Sequence, residues 1–352
     1  MNRFFKTFFS EVPASPTDLT IFAFGKHPGW DDHIEGIGID NETLAICRSV
    51  FYVHGIGGLI DSGIWEKSDP VQIVPEFGNL ILWQGRRAFL SCRMWPSKDG
   101  KGRAKYPMII GIYGGGVCLT RAFPMIVPVL ERLEDECKMA RTADEVRQVL
   151  ENGRIRLKEN IGTLSGSHVV PPLSSDEYGE MLAPNKAIPD ATGWHRILYT
   201  MQNQLEIFGL GHFSIRAMRP ESGGQHLRVP LLNDSPTLSM LAWLRLLRGE
   251  IDPQVPVFVS THHGRGWCDL LIGEPATNDF SFLKLNPEGI PYANDIPYNL
   301  GAEKEAELDQ VLDAFRQRRE PGFSALFPNG KAGQDSGGGK GWIRSIFGWR
   351  SH

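Results

Sequence analysis

Cysteine is scarce in this chain and shows no pairing pattern. Five cysteines in 352 residues (Cys47, Cys92, Cys118, Cys137 and Cys268), none at C-x-x-C spacing, argue against a disulfide framework or a zinc knuckle and suit a reducing cytoplasm. No uninterrupted apolar run reaches the roughly 20 residues that cross a bilayer. The Phe4-Phe5 and Phe8-Phe9 pairs, split by Lys6-Thr7, are too short for the apolar core of a secretory leader. Neither sign of charge dominates: the net charge is −4, so there is no global basic field for nucleic acid. Catalytic motifs are equally sparse. There is no G-x-S-x-G nucleophile elbow, no P-loop Lys-Ser/Thr after a glycine run, and no H-E-x-x-H. The expectation is a cytoplasmic globular protein with no nucleic-acid partner and no cofactor.

What is present is an ordinary globular composition, 41% hydrophobic, enough to bury one large core or two modest ones. Strands are expected over 19–25, 79–84, 87–95, 107–113, 212–218, 255–260 and 268–272. Helices are expected over 40–67, interrupted by Gly55, Gly57 and Gly58, and over 123–140, 194–208 and 302–319. Thr142 opens a further helix, with Glu145 completing a capping box. Ser235-Pro236 opens another, a cap followed by proline at the first helical position, leading into 238–247. The glycines of Gly111-Ile112-Tyr113-Gly114-Gly115-Gly116 read as a turn between strand and helix. This order predicts a mixed α/β fold, a largely antiparallel sheet flanked by helices, and not a doubly wound Rossmann fold. The organisation expected is an N-terminal amphipathic segment (1–17), a compact domain (18–327, with a division into subdomains near 160–190 as the alternative), a Gly-rich linker (328–340) and an aromatic-basic tail (341–352). Residues 331–352 carry a charge of +3 and residues 1–330 carry −7.

Two polar loops hold the chemistry. The first, Phe24-Gly25-Lys26-His27-Pro28-Gly29-Trp30-Asp31-Asp32-His33, follows a strand and gathers two imidazoles, two carboxylates, a lysine and an indole. His27, Asp31, Asp32 and His33 are metal-ligand types, with His262-His263 as further candidates, so a metal-dependent hydrolase is one reading. Adjacent residues of an extended loop usually point apart, which weighs against convergence on one ion. The second loop, 96–107, carries four cations (Lys98, Lys101, Arg103, Lys105) and one acid, Asp99. It suits an anion or an acidic partner surface, or a solvated hairpin. Cys47, Cys92 and Cys268 sit in apolar surroundings, where inert thiols are the norm. Both chain ends repeat one pattern, apolar-apolar-basic-hydroxyl-apolar-apolar: Phe4-Phe5-Lys6-Thr7-Phe8-Phe9 and Trp342-Ile343-Arg344-Ser345-Ile346-Phe347, the latter extended by Trp349. On a helix the apolar positions share a face, which suits a membrane surface or a partner groove.

The two loops together resemble a known family. Gly25-Lys26-x-Pro28-x-x-x-Asp32 resembles the opening Gly-Lys-Leu-Pro…Gly-Asp-Phe signature of the TagF/ImpM proteins associated with type VI secretion. Pro96-Ser97-x-Asp99-x-x-Gly102-Arg103-x-x-Tyr106-Pro107 resembles their second signature, about 70 residues later as in the family. The likeness covers roughly 18–285, with specific motifs only in the first 110 residues. The family's Leu is His27 here, its Gly before Asp is Asp31, and its Phe is His33. The resemblance implies a TagF-like domain and a non-enzymatic regulator that restrains type VI secretion after translation by engaging a cytoplasmic forkhead-associated scaffold protein. It implies that Lys26, Asp32, Ser97, Asp99 and Arg103 shape the loops or form a recognition surface, with Trp30 beside them. Asp32 or Asp31 is expected to pair with Arg103. The tail would bring the protein to the inner membrane. A structural component of a secretion assembly is the remaining alternative.

Overall fold

The computed structural model describes residues 19–201 and 224–306, except 86–87, 162–163, 165, 175–176, 178–179, 184, 190–191, 195, 199–200, 250, 291–300 and 304. The expected segment 1–17, strand 212–218, linker 328–340, tail 341–352 and most of helix 302–319 lie outside the described residues, as does helix 194–208 beyond its beginning.

Eight strands form one open, wholly antiparallel sheet. They are β1 (Thr20–Lys26), β2 (His33–Ile37), β3 (Asn79–Gln84), β4 (Phe89–Pro96), β5 (Pro107–Gly114), β6 (Gln225–Pro230), β7 (Val257–His262) and β8 (Trp267–Ile272). The order is β2-β1-β5-β4-β3-β7-β8-β6. Strands from both sides of the 160–190 segment therefore share one sheet, through the pairing of β3 with β7. β3 (NLILWQ) and β5 (PMIIGIYG) are buried at every position, which requires cover on both faces.

Side-chain alternation assigns the two covers. Thr261 of β7 reaches Met240 of α6 (Pro236–Arg248). Ile21 of β1 meets Gly153 of α5 (Ala143–Ile161). These two helices and α4 (Leu119–Met139), which packs on both, form one layer. On the opposite face Phe258 of β7 packs with Phe51, Phe280 and Trp83, ring centroids 5.6, 5.6 and 5.7 Å apart. Phe51 belongs to a helical stretch that begins as α1 (Glu42–Cys47), continues as a ten-residue π-helix (Arg48–Gly57) and ends in α2 (Gly58–Asp61) and α3 (Ile64–Lys67). Phe280 belongs to the 3-10 helix Thr277–Lys284. Gly55 lets the two approach, since a Cβ there would lie 2.7 Å from the Phe280 ring.

Residues Glu42–Lys67 meet the length and apolarity of a membrane span, with mean hydropathy 1.4, but 56% of that window is buried inside the protein. The stretch is the cover of a sheet face. The antiparallel α/β expectation agrees with this architecture. Three details differ. β2 and β6 were not expected. The helix expected from 123 starts at Leu119 and continues through Pro124 and Pro128, each of which sacrifices one backbone bond inside a helix held by its buried stripe. The glycine run expected as a turn begins inside β5, which reaches Gly114, and Gly111 is glycine there because a Cβ would lie 2.2 Å from the Phe22 ring.

Candidate functional site

The sheet register brings the two polar loops together. Gly25 pairs with Met108 across β1 and β5, and Pro96 pairs with Pro107 across β4 and β5. Loops 27–32 and 97–106 therefore leave the same end of adjacent strands. Gly25 has φ +113°, and a Cβ there would lie 2.3 Å from the Pro107 carbonyl oxygen. Only glycine permits both the backbone conformation and that approach.

Asp99 is the centre of the assembly, 1% exposed. Its Oδ2 accepts from Lys26 Nζ at 2.6 Å and Arg103 Nε at 2.7 Å. Its Oδ1 accepts from the backbone N–H groups of Lys101 and Arg103, each at 3.0 Å. The loop closes on itself through Gly102 N–H to the Asp99 carbonyl at 2.9 Å; Gly102 supplies the left-handed turn with φ +81°. Burial alone would raise the Asp99 pKa. The hydrogen bonds from Lys26 and Arg103 outweigh burial and hold the carboxyl well below the usual carboxylate range.

Cross-loop bonds lock the first loop onto the second. Gly100 N–H donates to the Trp30 carbonyl at 2.7 Å, and Arg103 Nη2 donates to the Asp31 carbonyl at 2.8 Å. Arg103 Nη2 also lies 3.3 Å from the Asp32 carboxylate, and Lys26 Nζ lies 3.7 Å from it. The expected Arg103–Asp32 pair is thus present, but the shortest carboxylate contact of Arg103 is to Asp99. The Asp31 carboxylate is exposed, and among the described residues its ion-pair contact is Lys101, at 3.9 Å. The hydrogen bond from His33 Nδ1 to Asp32, at 2.9 Å, is the main cause of a lowered Asp32 pKa, with Arg103 adding to it.

His27 and His33 diverge. His27 is 2% exposed. Its Nδ1 accepts from Gly29 N–H at 3.0 Å, so its Nε2–H donates to the Cys137 carbonyl at 2.9 Å. Both ring nitrogens are committed, and burial lowers its pKa. It ties the first loop to the C-terminal end of α4. Trp30 packs edge-on to His27 at 5.6 Å and beneath Arg147 of α5 at 5.7 Å. His33 instead stands against Tyr106 at 4.8 Å and Tyr52 at 6.0 Å. Among the described residues no group of three metal-ligating side chains converges. His262, another ligand candidate, sets its ring nitrogens 2.9 and 3.1 Å from the carbonyl oxygens of Glu76 and His263, to one of which its N–H donates.

Tyr106 completes the junction. Its ring lies 5.7 Å from Lys26 Nζ, and its hydroxyl donates to Asp61 at the end of α2. Burial and that bond push its pKa up to about 12, so it remains a donor at neutral pH. The Tyr52 hydroxyl donates to the Pro107 carbonyl at 3.4 Å. Tyr106 belongs to the second signature; Tyr52, Asp61 and Cys137 carry no local motif and were not foreseen. Ser97 and Pro28 line a cleft beside the clamp. Cys47, Cys92 and Cys268 are buried, and burial raises the pKa of each thiol, the opposite of an activated nucleophile. The tail residues Trp342, Ile343, Arg344, Ile346, Phe347 and Trp349 lie outside the described residues. The arrangement clamps two loops into one fixed surface with exposed Asp31, Asp32 and Lys101 at its rim. Comparison of the chain with protein-family models, curated proteins and solved structures returned no match.

Proposed function

We propose that this chain is a non-enzymatic regulatory adaptor resembling the TagF class, which controls assembly of a type VI secretion apparatus by binding a forkhead-associated scaffold protein on the cytoplasmic side. The observation that carries the reading is the Asp99 clamp. Motif residues 73 positions apart in the chain, Lys26 and Asp99, bond directly at 2.6 Å. Gly25, Asp32, Gly102 and Arg103 take defined places around them. Signature residues spent on fixing loop shape favour recognition over turnover. A carboxylate with four donors is unsuited to proton transfer, and His27 has both nitrogens occupied. The aromatic-basic tail would concentrate the adaptor at the inner membrane.

Affinity purification of the full-length protein, followed by mass spectrometry, tests this. The expected result is enrichment of a forkhead-associated secretion component, weakened by Asp31→Lys/Asp32→Lys at the exposed rim. Absence of any secretion component from repeated purifications overturns the reading.

A further inference from the structure

The loops that form the clamp also wall a cleft of about 540 Å³. Four lysines line it, Lys98, Lys105, Lys138 and Lys284, against one carboxylate, Glu76. This is a positive recess on a body whose residues 1–330 carry −7. The lysines come from separate elements: the two arms of the second signature loop, the end of α4 and the end of the 3-10 helix Thr277–Lys284. A smaller recess of about 220 Å³ shares Phe77, Lys105 and Lys284 with the cleft and extends it towards Trp65.

Lys284 is the telling member. Its ammonium donates to the Pro75 carbonyl at 3.0 Å and lies 5.0 Å from the Phe77 ring centroid and 5.9 Å from that of Trp65. Burial lowers its pKa. Among the described residues no carboxylate lies within 4.0 Å of it. Lys98, which also lines the cleft and is exposed, likewise has no ion-pair partner among the described residues. Lys138 is held by Glu134 and the Trp95 ring, and Lys105 by Glu66 at 3.1 Å. Lys98 and Lys284 thus make no close ion pair among the described residues, with Glu76 and Glu66 acting on Lys284 only at longer range, while Lys105 and Lys138 are anchored in place.

We propose that this cleft receives an acidic segment of a partner protein, its carboxylates pairing with Lys98 and Lys284 and an aromatic or aliphatic side chain seated between Phe77, Trp95 and Tyr106. Charge complementarity selects the partner's sign. Its extended form follows from the lining. Proline and aromatic walls (Pro28, Pro75 and Pro96 beside the three rings) are the kind that accept an extended chain. A compact dianion such as phosphate would instead favour converging backbone N–H groups or an arginine fork. Here the cations are lysines spread over one loop and two helices, matching carboxylates spaced along a peptide. The assignment rests on the adaptor reading and gives it a docking site.

The test is selection from a random displayed dodecapeptide library on the immobilised full-length protein, followed by fluorescence anisotropy of the most enriched peptide. Expected are peptides with several Asp or Glu residues flanking an aromatic or aliphatic residue. Binding should weaken about tenfold or more in Lys98→Glu and in Lys284→Gln. Thermal melts accompany both variants; Lys98 is exposed, so Lys98→Glu decides alone if Lys284→Gln fails to fold. Enrichment of neutral or basic peptides, lack of enrichment, affinity unmoved by Lys98→Glu, or displacement by millimolar inorganic phosphate each overturn the proposal. If Lys98→Glu leaves peptide binding unchanged while the protein still retains secretion components, the cleft assignment fails and the adaptor reading stands.

Discussion

Asp99 carries a charge inside the protein with four donors aimed at it, and the consequences of removing it are specific. Asp99→Asn would turn an acceptor-only group into one whose NH2 must face either Lys26 Nζ together with Arg103 Nε, or the backbone N–H groups of Lys101 and Arg103. Lys26, 3% exposed, would lose its buried counter-ion and keep only the distant, exposed Asp32. Arg103 is half exposed, so water can replace part of what Asp99 gives it. The expected order of melting temperatures is therefore Asp99→Asn lowest, Arg103→Ala intermediate and Asp31→Asn nearly wild type. A drop for Arg103→Ala as large as that for Asp99→Asn would mean that the cross-loop bonds, not the buried pair, hold the clamp. His27 gives a pH signature at the same scale. Its folded pKa is lowered from the ordinary 6.5, burial being the main cause. Between 6.5 and the folded value the unfolded chain binds a proton that the folded chain refuses, because protonating Nδ1 would break the bond from Gly29. Stability is full above about 6.5 and falls as pH decreases through that window. His226 has a lowered pKa as well, so the readout is the difference between wild type and His27→Gln. The variant is expected to show a shallower loss of stability between pH 7 and 5 in denaturant titrations. Equal slopes would show that His27 is not held neutral.

Among the elements, β6 and β8 hold a second buried ion pair, remote in sequence from the clamp. Arg228 and Asp269 lie opposite each other in register, with Arg228 Nε 2.7 Å and Nη2 3.0 Å from the carboxylate oxygens. His226 Nε2 approaches the same carboxylate at 2.8 Å, and the guanidinium covers Trp267 at 4.7 Å. Arg228 is 0% exposed, and its Nη1 has no partner among the described residues. Asp269→Asn leaves that guanidinium uncompensated and is expected to cost about 3–5 kcal/mol in urea unfolding. Arg228→Met combined with Asp269→Leu should recover most of the loss, because it removes the buried charge altogether. A double variant as unstable as the single one would refute this account. The same pair explains why β6 was hard to read. In QHLRVP only Leu227 and Val229 alternate as apolar residues, and Arg228 reads as exposed although it is buried; its compensating Asp269 is 41 residues away. β2 (HIEGI) is short and contains a glycine. Where the signal is local it is accurate: Ser235 caps α6 by accepting from Leu238 N–H at 3.4 Å, and Thr142 and Glu145 exchange backbone bonds at 3.2 and 3.1 Å. The two signature loops were legible for the same reason. Their meeting was expected only as an Arg103 pair with Asp32 or Asp31; the Lys26–Asp99 centre was not, because the pairing of β1 with β5 that creates it is a property of the sheet. Nor was Lys284, which reaches the cleft from a 3-10 helix far along the chain.

At the scale of the whole molecule, the tail's proposed membrane role can be tested apart from the body. The described part is a sheet covered on both faces, with its one membrane-length apolar stretch consumed as cover. The sequence places a segment suited to a bilayer surface at 341–352. It has four apolar residues (Trp342, Ile343, Ile346 and Phe347) at helix-face spacing, Trp349 beyond them, and a local charge of +3 across 331–352. A short basic-aromatic segment binds anionic lipid weakly on its own, through a few buried side chains and about 1 kcal/mol for each cation near the surface. The matching pattern at Phe4–Phe9 would add a second contact, and two weak contacts on one chain gain by effective concentration. A chain ending at Phe327 should then lose most of its sedimentation with anionic phosphatidylserine vesicles while keeping the melting temperature of the full chain. Added salt should weaken the full chain's binding and leave the shortened chain's residue of binding little changed. Equal partitioning of the two chains would remove the tail from the membrane argument and leave it as a candidate for a protein groove. Loss of binding together with a lowered melting temperature would instead place the tail against the body.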